Sequence, residues 1–252
     1  MQVKLSVVVI ALNEERRIGE VIDAVSKISD DILVIDSGSK DRTEEIVCAR
    51  QNTRFIYHKW QGFAAQKNYG NQAAKHDWIL SLDADEVPDQ KLINEIQNRL
   101  SEEPTCAYLI NRKSVYLGKE MNYVWQPDYR LRLFHKSQNP VWKGDFVHEK
   151  LQLESEVKKL KEPLYHYSYD GLRDHFQKLV KYAELASQEM KQKGKQPSVT
   201  KLVVNPLSKF VSHYLVKRGF LDGYRGLIAS FSSLVYTFLK YAFLFEKPSK
   251  KE

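Results

Sequence analysis

A largely apolar run that ends in acidic residues, Trp78-Ile79-Leu80-Ser81-Leu82-Asp83-Ala84-Asp85-Glu86, is the strongest indication of the fold in this chain. The apolar part predicts a strand buried on both faces, as in a parallel sheet. Asp83 and Asp85 lie two residues apart on extended backbone, so their side chains point the same way. Two such carboxylates repel one another, and a divalent cation removes the repulsion. The pair predicts a site for a metal and a diphosphate; the alternative is a solvated acidic turn.

The residues around this strand alternate strand and helix signals. Strands are predicted at 5–10, 32–35 and 54–57, each followed by a segment that we interpret as helical. Gly70 weakens the helix predicted over 63–75, because glycine lowers helix stability. The alternation predicts an α/β fold with a mostly parallel central sheet covered by helices.

After Pro104 the pattern changes to short strands, and from about Leu172 to helices. We therefore predict a catalytic α/β domain over 1–168, in two halves at 1–103 and 104–168, and a helical C-terminal region over 169–252. The two cysteines, Cys48 and Cys106, are too few for a disulfide scaffold or a zinc cluster. No apolar segment typical of a signal peptide opens the chain, which predicts a cytoplasmic location.

Charge is distributed unevenly along the chain. Residues 1–103 carry 13 Lys and Arg against 18 Asp and Glu, and residues 104–252 carry 26 against 14. No recognised nucleic-acid-binding motif is visible, so an anionic membrane surface fits the basic half better than nucleic acid does. The uncharged run 227–239 is too short to span a bilayer and indicates an amphipathic helix at the inner face of the cell membrane. The alternatives are a helical pair packed on the catalytic domain and a dimer interface.

Polar clusters follow three of the predicted strands. They are Asn13-Glu14, Asp36-Ser37 and the Asp83/Asp85 pair. Ligands of open α/β sheets bind beyond the carboxyl ends of the strands, so these clusters are expected at one rim. The chain has neither the glycine-rich turn of a dinucleotide-binding fold nor a P-loop.

These residues carry a resemblance to a known family. Ser6–Ile10 with Asn13-Glu14, Val34–Ser39 with Asp41 and Thr43, and the Asp83-x-Asp85 pair resemble a family 2 glycosyltransferase of GT-A fold over residues 3–150. Further stretches resemble the branch of bacterial lipopolysaccharide-core glucosyltransferases; they are 62–68, 130–134, 142–144, 147–149 and 217–223.

The resemblance implies a nucleotide-sugar-binding half at 1–103 and an acceptor-binding half at 104–168. Asp36 would accept a hydrogen bond from the base, and its alternative role is a turn or helix cap. The full set of implied nucleotide contacts is Ala11, Asn13, Glu14, Asp36, Ser37, Gln66, Lys67, Asn68 and Asp83. For 66–68 the alternative is a solvated helix face.

The resemblance also implies the catalytic groups of an inverting transfer. Asp83 and Asp85 would hold Mg²⁺ or Mn²⁺, with Asp85 counted as catalytic, and Glu149 would be the general base. His148 would contact the metal or a phosphate. On extended backbone His148 and Glu149 point to opposite faces, and the alternative for both is an ordinary polar edge strand.

Arg130 and Arg132 alternate with leucines, so they share one strand face. They are expected to contact a diphosphate or an anionic acceptor. A solvated strand face is an equal alternative.

The predicted function is transfer of a hexose from a UDP-linked nucleotide sugar to a saccharide of the bacterial envelope, such as lipopolysaccharide core. One alternative is a polyprenyl-phosphate glycosyltransferase on the same fold. Another is a non-catalytic nucleotide-binding or membrane-scaffold protein. The sequence leaves the donor sugar, the acceptor and the oligomeric state open.

Overall fold

The computed structural model describes residues 4–101, 106–144 and 149–246. Over these residues the strands are β1 (Leu5–Ala11), β2 (Asp31–Asp36), β3 (Thr53–Tyr57), β4 (Trp78–Asp83), β5 (Glu86–Pro88), β6 (Cys106–Tyr116), β7 (Lys119–Glu120), β8 (Tyr129–His135), β9 (Val141–Lys143), β10 (Lys150–Gln152), β11 (Glu156–Lys159) and β12 (Leu164–His166). The α-helices are α1 (Ile18–Val25), α2 (Thr43–Cys48), α3 (Phe63–Ala73), α4 (Gln90–Leu100), α5 (Leu172–Gln192), α6 (Val199–Val211) and α7 (Gly223–Ala242).

The chain divides into two compact units. The sheet unit comprises Met1–Arg112 and Asp128–His166, and the helical unit comprises Lys113–Pro127 and Tyr167–Glu252. Short helical turns add to both: a 3₁₀ turn at Lys136–Gln138 in the sheet unit, and a π turn at Ser212–Val216 and a 3₁₀ turn at Gly219–Asp222 in the helical unit.

The sheet unit contains a mixed sheet with the strand order β3-β2-β1-β4-β8-β6-β12-β5. The first four strands run parallel, and β8 runs antiparallel to β4. Successive residues of β1 point to opposite faces: Val7 and Val9 belong to one buried apolar cluster, and Val8 and Ile10 belong to another. Helices on both faces bury the strands, which explains the unbroken apolar runs. The predicted α/β fold is confirmed.

The register of the parallel strands aligns their carboxyl ends. Ala11 of β1 lies opposite Asp36 of β2, and Ile10 lies opposite Asp83 of β4. Asp36 in turn lies opposite Tyr57 of β3. The turns that follow β1, β2 and β4 therefore start at the same edge of the sheet, as the sequence predicted.

Gly70 allows α3 to lie directly on the sheet. A Cβ at this position would be 2.3 Å from Val8 Cγ1 and 3.1 Å from Ile35 Cγ1. We expect Gly70→Ala to lower the free energy of unfolding by about 2 kcal/mol, because the overlap outweighs the gain in helix propensity. Urea unfolding measures the change, and Val8→Ala in the same chain should recover part of the loss by removing the overlapping methyl group. A Gly70→Ala protein as stable as the parent would contradict this packing.

The helical unit contains an antiparallel pair formed by α6 and α7. Asn205 Nδ2 donates to Tyr241 Oη at 2.7 Å, and His213 Nδ1 lies 3.0 Å from Ser233 Oγ. Near the connection the backbones touch, since a Cβ on Gly226 would lie 1.8 Å from the carbonyl oxygen of Gly219. Across the described ranges, no helix combines the length and the apolar character that crossing a bilayer requires.

His175 of α5 is buried beside aromatic rings and makes the helical unit sensitive to acid. Its Nδ1 lies 2.7 Å from Tyr116 Oη, and its ring stacks on Tyr169 with centroids 4.1 Å apart. Burial lowers the pKa of His175 from 6.5 to about 4, although Asp174 opposes the change. The unfolded chain therefore takes up a proton at higher pH than the folded chain does, and stability falls as pH drops from 6.5 toward 4.

We expect this histidine to contribute about 2 kcal/mol to the loss of stability between about pH 7.5 and about pH 5. The measurement is urea unfolding of the parent and of His175→Gln at both pH values. The variant should show the weaker pH dependence. The same dependence in both proteins would contradict a neutral buried His175.

Candidate active site

The turns after β1 and β2 are joined by hydrogen bonds. The amide of Asn13 donates to Ser39 Oγ at 2.7 Å, and Asn13 Oδ1 accepts from the amide of Lys40 at 2.8 Å. The amide of Glu14 donates to Thr43 Oγ1 at 2.9 Å. Asn13 adopts φ 57°, a left-handed conformation that asparagine tolerates better than most residues. Asn13 and Glu14 therefore hold the turns after β1 and β2 together, next to the buried Ala11.

Asp36 organises the turn that it begins. Its Oδ1 accepts from the amides of Gly38 and Ser39, both at 2.7 Å, and its Oδ2 accepts from the hydroxyl of Ser39. The side chain is buried. The structure thus gives Asp36 the role of a turn cap that the sequence offered as the alternative, and contact with a base stays a prediction.

Gln66 and Asn68 of α3 bind the surrounding backbone. Gln66 Nε2 donates to Ser37 Oγ at 3.0 Å and to the carbonyl of His58 at 2.8 Å. Asn68 both donates to and accepts from the backbone of Trp142, at 2.9 Å each. These two side chains hold loops of the sheet unit in place. Their predicted contact with a nucleotide stays a prediction.

Lys67 lies between Gln66 and Asn68 on α3, and its side chain bridges two acids, Asp83 and Glu149. Its buried ammonium lies 2.9 Å from Asp83 Oδ1 and 2.9 Å from Glu149 Oε1. It also lies 4.6 Å from the centroid of the Trp142 ring, within cation–π range. Lys67 thus places the predicted general base and the first predicted metal ligand around one cation.

Asp83 is surrounded by positive charge. Arg132 Nη2 donates to Asp83 Oδ2 at 2.6 Å, and Arg112 Nη1 lies 3.7 Å from the same oxygen. Burial would raise the pKa of Asp83, but the charges of Arg132, Lys67 and Arg112 hold it well below its usual range. In this structure Asp83 is therefore ionised and neutralised by side-chain cations.

Three residues that the sequence interpretation missed complete this charged network. Glu86 is fully buried and accepts from Arg132 at 2.5 Å, from Arg112 at 3.2 Å and from the amide of Asp83 at 3.0 Å. Asp128 accepts from Arg112 Nη2 at 2.6 Å. Glu86 could have been identified from the sequence, because it comes directly after Asp83 and Asp85. No sequence motif marks Arg112 or Asp128.

The two arginines predicted to share a face of β8 both reach this network. Arg132 is buried against Asp83 and Glu86, whereas the more exposed Arg130 pairs with Asp128 at 2.9 Å. Contact with a diphosphate or an acceptor stays a prediction for both. The buried position excludes the alternative of a solvated face for Arg132.

Asp85 pairs with a histidine that the sequence interpretation also missed. His166 Nε2 lies 3.3 Å from Asp85 Oδ2. His166 ends β12, which pairs with β5 so that His166 lies opposite Glu86. Burial alone would lower the pKa of His166, but the Asp85 carboxylate raises it above 6.5; conversely, burial would raise the pKa of Asp85, and the charge of His166 lowers it. The signal in the sequence was a histidine within one of the short strands predicted after Pro104.

A carboxylate beside an imidazole is a donor set that suits a divalent cation such as Mn²⁺. Asp85 and His166, whose side chains are 3.3 Å apart, are therefore the described pair that best suits such an ion. Among the described residues there is no group of three or more His, Cys, Asp or Glu arranged around a common point. His148 lies outside the described residues, and its predicted contact with the metal or a phosphate is not described by the structure.

The chain is similar to known proteins over most of its length. The family model for glycosyl transferase family 2 matches residues 6–152. The lipopolysaccharide core biosynthesis glycosyltransferase LpsC of Rhizobium meliloti (strain 1021) is 26% identical over 258 residues, which cover 98% of this chain and 94% of LpsC.

Two solved structures share the fold. The mannosyltransferase PcManGT from Pyrobaculum calidifontis aligns with TM-score 0.56 and 13% identity over 98% of this chain and 88% of its own. TarS from S. aureus, residues 1–349, aligns with TM-score 0.51 and 14% identity over 93% of this chain and 81% of its own. They confirm the predicted GT-A fold. Since the family model covers more than half of the chain, the protein belongs to glycosyl transferase family 2.

Proposed function

We propose that the protein transfers a hexose from a UDP-linked sugar to a saccharide of the bacterial envelope, such as lipopolysaccharide core, with inversion at the anomeric carbon. The observation that carries the proposal is the bridge from Asp83 through Lys67 to Glu149, each contact 2.9 Å long. This bridge holds the Glu149 carboxylate, which can take a proton, beside the cations Lys67 and Arg132, which can bind a leaving diphosphate. The similarity to LpsC over nearly the whole chain supports the acceptor class.

The donor class has support from both structural relatives. TarS was solved with UDP-GlcNAc, and PcManGT was solved with GDP-Man and Mn²⁺. Both ligands are sugars linked to a nucleoside diphosphate. We propose that Asp36, Ala11, Asn13, Glu14, Ser37, Gln66 and Asn68 form the nucleotide side of the pocket, partly through backbone groups.

In the proposed reaction Glu149 accepts the proton of the attacking acceptor hydroxyl. Lys67 orients Glu149 and contributes positive charge toward the departing diphosphate. Asp85 and His166 would hold Mg²⁺ or Mn²⁺, and the bound ion would supply positive charge that stabilises the leaving group. Arg132, with Arg130 nearer the surface, adds positive charge for phosphate or for an anionic acceptor.

We assign the donor to residues 1–103, the acceptor to residues 104–168 and membrane contact to residues 169–252. A cytoplasmic enzyme held at the inner face of the cell membrane would meet an acceptor that is anchored in the same surface. The basic half of the chain supports this placement.

The test is an assay of purified protein with a panel of UDP- and GDP-sugars, each with and without Mn²⁺. The acceptors are truncated lipopolysaccharide and a polyprenyl phosphate, and the anomeric configuration of the product is read by NMR. We expect transfer from a UDP-hexose to the saccharide, with inverted configuration. Transfer only to the polyprenyl phosphate would replace the proposed acceptor class, and retained configuration would exclude Glu149 as the base of a single displacement. Binding of nucleotide sugar without turnover on either acceptor would favour a binding protein.

A further inference from the structure

The connection between α6 and α7 forms an exposed apolar tip. It comprises Leu215-Val216-Lys217-Arg218-Gly219-Phe220-Leu221, and we call it the hairpin tip. Val216 is 75% exposed, Leu215 55%, Leu221 52% and Phe220 46%. Exposed apolar side chains are common singly, but a contiguous group of this kind marks an interaction surface.

The backbone of the tip packs closely on the neighbouring residues of the helical unit. Arg218 adopts φ 56°, and Gly219 lies against the carbonyl of His213, where a Cβ would be 2.6 Å from the oxygen. Gly226 of α7 lets that helix lie directly against the tip backbone at Gly219, where a Cβ on Gly226 would be 1.8 Å from the carbonyl oxygen.

The charge of the tip selects its partner. Lys217 and Arg218 are exposed. The carboxylate of the adjacent acid, Asp222, accepts hydrogen bonds of 2.9 to 3.1 Å from backbone amides of the helical unit; the donors are Asn122, Tyr123 and Val124. Apolar side chains beside exposed cations match a lipid surface with anionic headgroups.

The exposed face continues from the tip along α7. Tyr224, Leu227, Phe231 and Phe238 recur at helical spacing and are all exposed, and α7 contains no acidic residue. Aromatic side chains prefer the headgroup level of a bilayer. Two copies meeting through this face would bring their cations together, which disfavours self-association as the occupant.

We propose that the hairpin tip inserts into the interface of an anionic membrane, with Leu215, Val216, Phe220 and Leu221 entering the headgroup layer and with Lys217 and Arg218 contacting lipid phosphates. The adjoining face of α7 lies along the surface. This inference rests on the membrane contact proposed above for residues 169–252 and deepens it by naming the segment that enters the lipid. It is independent of the donor and the acceptor, because no sugar takes part in it.

The test is co-sedimentation of the full chain with vesicles of phosphatidylcholine, with and without phosphatidylglycerol, at low and high salt. The tip variant is Val216→Ser with Lys217→Glu. Its matched control is Val157→Ser with Lys158→Glu, an exposed apolar–basic pair on β11. Circular dichroism and transfer to a water-soluble acceptor confirm that both variants are folded.

We expect the parent and the control to bind the anionic vesicles, and the tip variant to bind at least about tenfold more weakly. A Phe220→Trp protein should show a blue shift of its added fluorescence on anionic vesicles, compared with the parent. Equal binding by the tip variant, or no binding by the parent at low salt, would overturn the proposal. So would a dimer in light scattering that the tip substitutions dissociate, since the tip would then be an interface between copies. If the tip variant loses vesicle binding but keeps sugar transfer, the result supports membrane insertion of the hairpin tip and does not affect the proposed function.

Discussion

Glu149→Gln is expected to lower the turnover number by about 10²–10⁴-fold, the usual contribution of a general base. Glutamine preserves the size of the side chain and an oxygen that can face Lys67, but it cannot take the proton of the acceptor hydroxyl. Lys67 retains its ion pair with Asp83, so the site should keep its shape and the KM for the donor should change little. Steady-state kinetics with saturating acceptor measures both constants.

Glu154→Gln is the matched control for this change, because Glu154 is an exposed acid on the same segment. It should leave the turnover number unchanged. Glu149→Gln activity within about threefold of the parent would remove Glu149 from the role of base. If Glu154→Gln lowered the turnover number as much as Glu149→Gln does, the cause would be the loss of any negative charge on this segment.

Asp85→Asn is expected to reduce metal-stimulated transfer by about 10²-fold or more, because a neutral amide is a far weaker ligand for Mg²⁺ or Mn²⁺ than a carboxylate. The substitution also removes the charged partner of His166, 3.3 Å away. Asp85 is a better test than Asp83, whose loss would remove one of the two carboxylates that each of the buried cations Lys67 and Arg132 contacts. Transfer rates over a range of Mn²⁺ concentrations measure the effect.

Asp77→Asn serves as the control, since Asp77 is exposed beside the opposite end of the same strand, β4. It should retain the parent's rate and metal dependence. Unaltered transfer and metal dependence in Asp85→Asn would show that the acid does not bind the ion.

The sheet was predictable from the sequence because its signals are local. The apolar runs of β1, β2 and β4 mark strands buried on both faces, and the polar residues that follow them share one edge by the geometry of parallel strands. Gly70 shows the limit of propensity. Glycine weakens an isolated helix, yet here it lets α3 pack against Val8, which only the tertiary structure reveals.

Site residues that belong to local sequence motifs could be predicted. Site residues that come together through the pairing of distant strands could not. Asp83, Asp85, Lys67 and Glu149 were identified from motifs, and the structure brings Asp83, Lys67 and Glu149 into contact. Arg112 and Asp128 lie on or beside antiparallel strands, whose register sequence patterns do not determine.

His166 shows the same limit: its pairing with Asp85 depends on β12 lying beside β5, which no local pattern encodes. The roles of Gln66 and Asn68 were ambiguous for another reason. A polar residue on a helix can face a ligand or a neighbouring loop, and residue type does not distinguish the two.

We expect a divalent cation at Asp85 and His166 to bind the diphosphate of the donor. The sharpest experiment is isothermal titration of UDP into the parent, Asp85→Asn and His166→Gln, each with Mn²⁺ and with EDTA. UDP should bind the parent at least about tenfold more tightly with Mn²⁺ than with EDTA, and neither variant should show this difference. Equal UDP affinity with and without Mn²⁺ in the parent, or an undiminished Mn²⁺ effect in both variants, would contradict it.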